Sequence, residues 1–170
     1  ARLDDDETAG RGCSGRARAP STPGTPHPAH GRVAQGLGAF STPDYQPSAE
    51  LPDAEYPLVM MTGRILYQYN ACAMTARTDG VNEIADRSFI ELNTRDAEAL
   101  GIADGDVVRV SSRRGSIESV AHVSDKTNPG QTWMPFHFQD GNSNWLTIAA
   151  LDRVSKAPEY KVCAVKVEKA

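Results

Sequence analysis

A dense run of polar and aromatic side chains lies between residues 62 and 77. It opens with Thr62-Gly63-Arg64, directly after an apolar run. A strand that ends there leaves backbone N–H groups free, a glycine permits close backbone approach, and the guanidinium of Arg64 presents a planar fork. This combination suits a phosphate. Tyr67 and Tyr69 add flat faces and hydroxyls for a heterocycle.

Two alternatives to a ligand site stay open at this run. It could be a polar crossing from strand to loop that binds nothing. Alternatively, Arg64 is a structural residue that bridges the strand end to an acidic neighbour such as Asp79 or Glu83.

The chain contains no self-sufficient catalytic set. It lacks a Gly-x-Ser-x-Gly elbow, a Gly-x4-Gly-Lys phosphate loop and a His-Glu-x-x-His helix. His122 is interpreted as a surface or packed residue of a strand, and His27 and His30 as parts of a solvated loop. We therefore expect no catalytic residue and no metal ligand in this chain, which alone should not be catalytic.

Short strands must position this polar run. Apolar or alternating patterns predict them at six places, namely residues 57–62, 89–92, 106–112, 116–124, 131–136 and 161–169. One short helix is predicted to interrupt them over residues 95–100, with Asn93 or Thr94 as its cap and Gly101 ending it in the left-handed conformation. Gly115 is predicted to supply a positive φ to a hairpin. The pattern favours a small closed barrel over a two-sheet sandwich, although periodicity alone does not decide between them.

Composition changes sharply near residue 50. The first 50 residues contain 7 Gly and 6 Pro but only three Leu, Ile or Val, whereas the rest of the chain contains 24. A segment so poor in aliphatic residues buries too little apolar surface to fold. We expect residues 1–50 to form an irregular arm or linker, including the Pro-rich stretch 20–28, and residues 51–170 to form the folded domain.

Charge and hydropathy exclude several classes of protein. The formal net charge of −4 over 170 residues argues against a generic nucleic-acid binder. No apolar run approaches the roughly 20 residues of a membrane-spanning helix, and no secretory signal is visible. The three cysteines, Cys13, Cys72 and Cys163, are widely spaced, so we expect free thiols and a cytoplasmic location. The chain begins at Ala1, which indicates processing or excision from something larger.

The order of motifs over residues 51–170 resembles the C-terminal dinucleotide-binding domain of molybdopterin oxidoreductases. The likeness begins with residues 56–77 (YPLVMMTGRILYQYNACAMTAR) and continues through residues 90–115 (IELNTRDAEALGIADGDVVRVSSRRG). Shorter matching stretches follow at 129–130, 134–138, 144–147 and 155–165. Gln68-Tyr69-Asn70 and Pro158-Glu159-Tyr160-Lys161 are most similar to formate dehydrogenase catalytic (alpha) subunits, as is the arm with 23–26 and Phe40.

This resemblance implies a mainly β fold, a double-psi β-barrel with short helices. It also implies a bis(molybdopterin guanine dinucleotide) cofactor with molybdenum or tungsten. In the family, the segment that matches 62–71 wraps the phosphates and pterin of one dinucleotide. The implied cofactor-binding residues are Thr62, Gly63, Arg64, Ile65, Leu66, Tyr67, Gln68, Tyr69, Asn70, Ala71, Thr75, Phe136, His137, Asn144, Tyr160 and Lys161.

The chain departs from the family pattern at two positions and lacks two features of the family's catalytic subunits. Cys72 stands where a glycine is frequent and could crowd the loop, and Ala76 stands where a second arginine is common. The family's N-terminal iron–sulfur cysteine cluster and its Cys or selenocysteine metal ligand are not in this sequence. The iron–sulfur cluster is therefore expected only in other parts of the enzyme.

The leading hypothesis is the C-terminal cofactor-binding part of a formate-dehydrogenase-like oxidoreductase, which converts formate to CO2 with transfer of two electrons. Its implied partners are the remaining domains or the catalytic subunit, with no nucleic acid and no membrane span. One alternative is an independent small subunit of a formylmethanofuran-dehydrogenase-like complex, and another is a nitrate-reductase-like enzyme. An alternative of another class is a double-psi barrel that serves as an interaction module without cofactor.

Overall fold

The computed structural model describes residues 42–170, and the chain divides into two units, Ala1–Gln46 and Pro47–Ala170. The second unit holds every helix and strand described below. Several expectations lie outside the described residues: those for most of the irregular arm 1–50, the Pro-rich stretch 20–28, residues 23–26, Phe40, Cys13, His27 and His30.

All six predicted strands are present, each within one residue of its predicted bounds. Alternation and apolar runs are local signals, which is why the sequence sufficed to find them. The strands are β1 (Leu58–Gly63), β2 (Phe89–Leu92), β3 (Val107–Ser112), β4 (Gly115–Val123), β5 (Gln131–Pro135) and β6 (Val162–Lys169).

The six strands close into one barrel in the order β1-β5-β2-β4-β3-β6, with β6 pairing back to β1. Two pairs are parallel, β1 with β5 and β2 with β4, and the other four pairs are antiparallel. The expectation of a mainly β closed barrel is therefore confirmed, and closure leaves no edge strand.

Inward-pointing side chains fill the barrel. Met60 of β1, Ile90 of β2, Val108 of β3, Met134 of β5 and Val165 of β6 are all fully buried. In β1 and β3 the buried residues alternate with half-buried or exposed ones, as the pleat requires, whereas β2 and β6 each contain three consecutive buried residues. This core fixes the strand ends on which the polar loops are built.

The predicted helix is present as α2 (Thr94–Leu100). The Asn93 side chain caps it by accepting a hydrogen bond from the Arg95 N–H at 3.0 Å, and Gly101 ends it with a φ of 66°. The prediction of a single helix is wrong, because α1 (Asp79–Asn82) precedes β2. With four residues, α1 is too short to show an apolar period. No helix within residues 42–170 is long and apolar enough to cross a membrane.

The expected role of Gly115 in the β3–β4 hairpin is also wrong. Gly115 is the first residue of β4 and pairs with Ser112, so Arg113 and Arg114 form the turn. Gly115 does not have a positive φ, and neither arginine does. Because the turn is made with ordinary φ values, it needs no glycine. A tight turn at Asp104-Gly105-Asp106 leads into β3, with a φ of 85° at Gly105.

Candidate functional site

The end of β1 lies against the segment that leads into β6. The buried Thr62 hydroxyl donates to the Tyr160 carbonyl at 2.7 Å, and the Thr62 N–H donates to the Lys161 carbonyl at 3.2 Å. The Lys161 ammonium lies 3.4 Å from the Thr62 carbonyl in return. These contacts bring the Thr62-Gly63-Arg64 run and the Tyr160-Lys161 pair to one end of the barrel, as the family resemblance implies.

His137 closes the loop that follows β1. Its Nε2 accepts a hydrogen bond from the Ile65 N–H at 3.0 Å, and its Nδ1 lies 2.5 Å from the Asn70 carbonyl. A neutral imidazole with its proton on Nδ1 satisfies both partners. The ring is 1% exposed. Both nitrogens are therefore engaged within the protein, and His137 holds the two ends of the loop together.

Gln68 and Thr75 hold the middle of the same loop. The buried Gln68 amide donates to the Ala85 carbonyl at 2.6 Å and accepts from the Thr75 hydroxyl at 2.5 Å. The Thr75 oxygen also accepts the Tyr69 N–H at 3.2 Å. These two side chains stabilise the loop, whereas Leu66, Tyr67 and Tyr69 point into solvent.

The loop presents backbone donors that no described residue uses. The N–H groups of Leu66, Tyr67, Gln68, Asn70 and Ala71 have no acceptor among residues 42–170. Free backbone N–H groups close together in a loop are donors that favour an anion.

Cys72 adopts a left-handed conformation at the end of the loop. Its φ is 58°, a value that glycine reaches without strain, which explains why a glycine suits this position. The Cys72 side chain is buried.

Two cations flank one aromatic ring beside the loop. The Arg64 guanidinium lies 5.1 Å from the centre of the Phe136 ring, and the Lys161 ammonium lies 5.4 Å from it. Neither cation has a carboxylate partner within the described residues. The ion pair of Arg64 with Asp79 or Glu83 that the alternative interpretation expected is not formed.

Gly63 is required by packing on the outer face of the barrel. A Cβ at Gly63 would lie 2.5 Å from the Trp133 indole nitrogen and 2.8 Å from the nearest ring carbon. Trp133 is in turn held by Phe89, with ring centres 5.6 Å apart. The space beside Gly63, which the sequence argument assigned to an approaching phosphate, is therefore occupied by Trp133.

Asn144 lies in a short 3-10 turn, Ser143–Trp145, near the end of β5. The buried Ser143 hydroxyl donates to the Pro135 carbonyl at 3.2 Å, and the Asn144 N–H donates to the Asn142 side chain at 3.0 Å. The Asn144 side chain is exposed, and its amide has no hydrogen-bond partner among residues 42–170. Because Phe136 follows Pro135 directly, this amide belongs to the same end of the barrel as the two cations.

Sequence reasoning missed two residues that shape this end of the barrel. Trp133 was treated only as part of a strand, and Arg114 only as part of a hairpin turn. Arg114 donates to the Leu146 carbonyl, just beyond Asn144, through Nε at 3.1 Å and through Nη2 at 2.7 Å. Two adjacent arginines in a tight turn were the signal that could have identified it, because such a turn seldom needs two cations.

The other His and Cys side chains lie outside any cluster of possible metal ligands in the described part of the chain. Among residues 42–170, no three His, Cys, Asp or Glu side chains gather in a way that could hold a metal. His122 is exposed, 3.3 Å from Asp104. Cys72 and Cys163 are buried free thiols, and burial raises the pKa of both, for Cys163 to about 11.

Comparisons with known proteins agree with this arrangement. The family model described as "Molydopterin dinucleotide binding domain" matches residues 58–164. The chain is 46% identical to the "F420-dependent formate dehydrogenase 2 subunit alpha" of Methanococcus maripaludis, covering 89% of this chain and 23% of that protein. It is 45% identical to the "F420-dependent formate dehydrogenase subunit alpha" of Methanocaldococcus jannaschii, covering 79% and 20%.

A nitrate reductase of Symbiobacterium thermophilum is also similar, at 41% identity over 77% of this chain and 18% of that protein. The chain thus spans about a fifth of the length of the curated relatives it matches. Among solved structures, acetylene hydratase from Pelobacter acetylenicus superposes with a TM-score of 0.58 at 15% identity, covering 68% of this chain and 18% of that one. The fold is a double-psi β-barrel.

Proposed function

This chain belongs to the molybdopterin dinucleotide-binding domain family, and on that premise we propose that it binds one dinucleotide arm of a bis(molybdopterin guanine dinucleotide) cofactor. The complete protein is then a formate-dehydrogenase-like oxidoreductase of which this chain is the C-terminal part. Its partners are the remaining domains or the catalytic subunit.

One observation carries the proposal. Arg64 and Lys161 flank Phe136 without a carboxylate partner in the described part of the chain, directly beside a loop with free N–H groups. A pyrophosphate supplies the negative charge and the several acceptor oxygens that such a set of donors requires. The residues therefore fit the dinucleotide that the family implies.

The implied site residues divide by role. Arg64 provides a planar fork for one phosphate, and Lys161 provides a point charge. The Asn144 amide, free of protein partners within residues 42–170, matches the donors and acceptors of a pterin edge. Tyr67 and Tyr69 offer exposed faces to a heterocycle. The residues that support them from within the protein are Thr62, Gln68, Thr75, His137 and Tyr160.

When bound, the cofactor supplies the two-electron redox chemistry at its molybdenum or tungsten that converts formate to CO2. This chain holds and orients the dinucleotide, and the iron–sulfur cluster belongs to the rest of the enzyme. The division into an arm over residues 1–50 and a barrel over 51–170 is part of the proposal. So is a cytoplasmic location, which the buried free thiols of Cys72 and Cys163 support.

Nitrate reduction is the second candidate reaction, because nitrate reductases match at 40–41% identity. Residues 58–164 support cofactor binding in either enzyme. A cofactor-free interaction module is disfavoured because it has no need for two cations without carboxylate partners beside the free N–H groups.

The test is the dinucleotide content of the intact enzyme carrying Arg64→Ala. Loss of charge-assisted hydrogen bonds, each worth about 1.5–3 kcal/mol, should weaken cofactor retention about tenfold to a hundredfold. Arg64→Lys should recover only part of it, because an ammonium lacks the planar fork. Pterin fluorescence and guanine nucleotide per folded molecule provide the measurement.

A matched control is Arg95→Ala. It removes the same charge from the exposed face of α2. This helix follows the C-terminal end of β2, so it lies at the end of the barrel opposite to Arg64. Its cofactor content should equal that of the unsubstituted enzyme. Unchanged content in Arg64→Ala together with a lower melting temperature would refute the phosphate-binding role.

A further inference from the structure

We infer that Arg114 is a positioning residue that fixes the Asn144 turn, residues 142–147, for contact with the dinucleotide. This inference rests on the proposed function, since it assumes that Asn144 contacts the cofactor. The inference gives a role to Arg114, which lies in the hairpin between β3 and β4. The family match by itself assigns no such role to this hairpin.

Arg114 joins three parts of the structure through one guanidinium. Nε and Nη2 donate to the Leu146 carbonyl at 3.1 and 2.7 Å. Nη1 donates to one Glu50 oxygen at 3.0 Å, and Nη2 lies 2.8 Å from the other. The planar fork is therefore shared between the turn that follows Asn144 and a carboxylate from the segment before β1.

The partners of Arg114 are themselves held in place. Leu146 is fully buried in the core, and the Glu50 side chain is only 10% exposed. Arg113 pairs with the same Glu50 and with Asp53, and its guanidinium lies 4.7 Å from the centre of the Tyr56 ring. Glu50 is thus clamped by two arginines, and this clamp gives the Arg114 fork a fixed orientation.

Hydrogen bonds hold the Asn144 turn on both sides of Asn144, whereas the Asn144 side chain itself has no partner in the described residues. On one side, Ser143 bonds to the end of β5. On the other side, Arg114 bonds to Leu146. The Asn144 amide projects outward without a partner in the described residues, beside the exposed ring of Trp145. Such an arrangement fixes the position of the amide while leaving its donors and acceptor available, which is what a positioning contact requires.

The turn's own hydrogen bonds are all local. Its 3-10 core, Ser143–Trp145, is three residues long, with the Trp145 N–H donating to the Asn142 carbonyl at 3.1 Å and the Leu146 N–H to the Ser143 carbonyl at 3.0 Å. The Asn144 N–H donates to the Asn142 side chain at 3.0 Å, and the Thr147 hydroxyl donates to the Asn144 carbonyl at 3.1 Å. A single 3-10 turn is marginal by itself. The two hydrogen bonds from Arg114 to the Leu146 carbonyl are the polar contacts that tie the C-terminal side of the turn to the β3–β4 hairpin.

The experiment compares Arg114→Lys with Arg113→Lys in the intact enzyme. Lysine keeps the charge but cannot hold the Leu146 carbonyl and both Glu50 oxygens in one plane. Arg113→Lys is the matched control, because Arg113 lies in the same turn and pairs with the same Glu50 but does not contact Leu146. Two quantities are measured: hydrogen exchange of the Trp145 and Leu146 amides, and the dinucleotide retained per folded molecule after gel filtration.

We expect Arg114→Lys to speed exchange of these two amides and dissociation of the dinucleotide, each by about tenfold relative to Arg113→Lys. Equal exchange rates or equal retention in the two variants would overturn the inference. A third variant, Asn144→Ala, distinguishes failure of the positioning role from failure of the proposed Asn144 contact. If it loses dinucleotide while Arg114→Lys does not, only the positioning role fails. If Asn144→Ala retains the dinucleotide fully, the proposed contact of Asn144 fails together with this inference.

Discussion

Replacing Gly63 by alanine should destabilise the barrel through Trp133. The added Cβ would lie 2.5 Å from the indole nitrogen and 2.8 and 2.9 Å from two ring carbons, well inside ordinary contact distance. The indole must move outward by about 1 Å and lose contact with Phe89. Overpacking of this kind costs about 1–3 kcal/mol. The lower entropy of the unfolded alanine variant offsets about 0.4–1 kcal/mol, so we expect a net loss of about 1–2 kcal/mol.

Urea unfolding followed by tryptophan fluorescence measures this loss directly. Each kcal/mol also corresponds to roughly 3–5 °C in melting temperature for a domain of this size. Gly80→Ala is the matched control: no atom lies within 4 Å of the new Cβ, and Gly80 lies in α1, where alanine is the better helix former. Its stability should be unchanged or slightly higher.

A double-mutant cycle identifies the cause. In a Trp133→Leu background the clashing ring is absent, so Gly63→Ala should cost less there by about 1–2 kcal/mol. The reasoning is refuted if Gly63→Ala is as stable as the unsubstituted protein, or if it is equally destabilising in both backgrounds. Either result would favour the alternative explanation, in which Gly63 lets a phosphate approach the backbone closely.

Four further outcomes are expected. The Cys163 and Cys72 thiols should resist iodoacetamide at pH 8 in a Cys13→Ser protein, because burial raises their pKa, and should react fully in urea. Asn93→Ala should cost about 1–2 kcal/mol in thermal unfolding, since it removes a helix cap and a buried bond to the Thr127 carbonyl. Burial raises the pKa of Glu50, but hydrogen bonds from Arg114 and Arg113 outweigh burial and hold the pKa below its usual value. Glu50→Gln should therefore destabilise the protein fully at neutral pH, and the difference from the unsubstituted protein should shrink as the pH falls through the lowered pKa of Glu50, as urea unfolding at several pH values will measure. Amide exchange should show protection beginning near residue 58, and protection of residues 1–50 equal to that of β3 would contradict the proposed arm.

Local signals made the elements of this fold predictable. The Asn93 cap and the Gly101 stop bound α2, and alternating apolar residues bound the strands. Barrel closure and the two parallel pairs were not predictable from periodicity, because they depend on contacts between strands far apart in the chain. The resemblance to a family supplied that topology.

The sequence indicated which segments would meet at this end of the barrel, but not the hydrogen bonds that each side chain makes there. The Thr-Gly-Arg run identified the loop, and the structure joins it to Lys161 and Phe136. His137 and Gln68 hold the loop through hydrogen bonds to Asn70 and Ala85. No rule based on sequence spacing connects these pairs of residues. Distant partners of this kind are decided by the tertiary fold.

The buried His137 ring has a consequence for the speed and strength of ligand capture. By joining Ile65 to Asn70, it fixes the loop backbone when the chain folds. Ordering one residue costs about 1–2 kcal/mol of conformational entropy, so a loop of this length would otherwise impose a large penalty on each binding event. Here that penalty falls on folding instead, and the free N–H groups are preorganised before the ligand arrives. Association with a dinucleotide is then expected to be limited by encounter and desolvation, without a slow step in which the loop must first take shape.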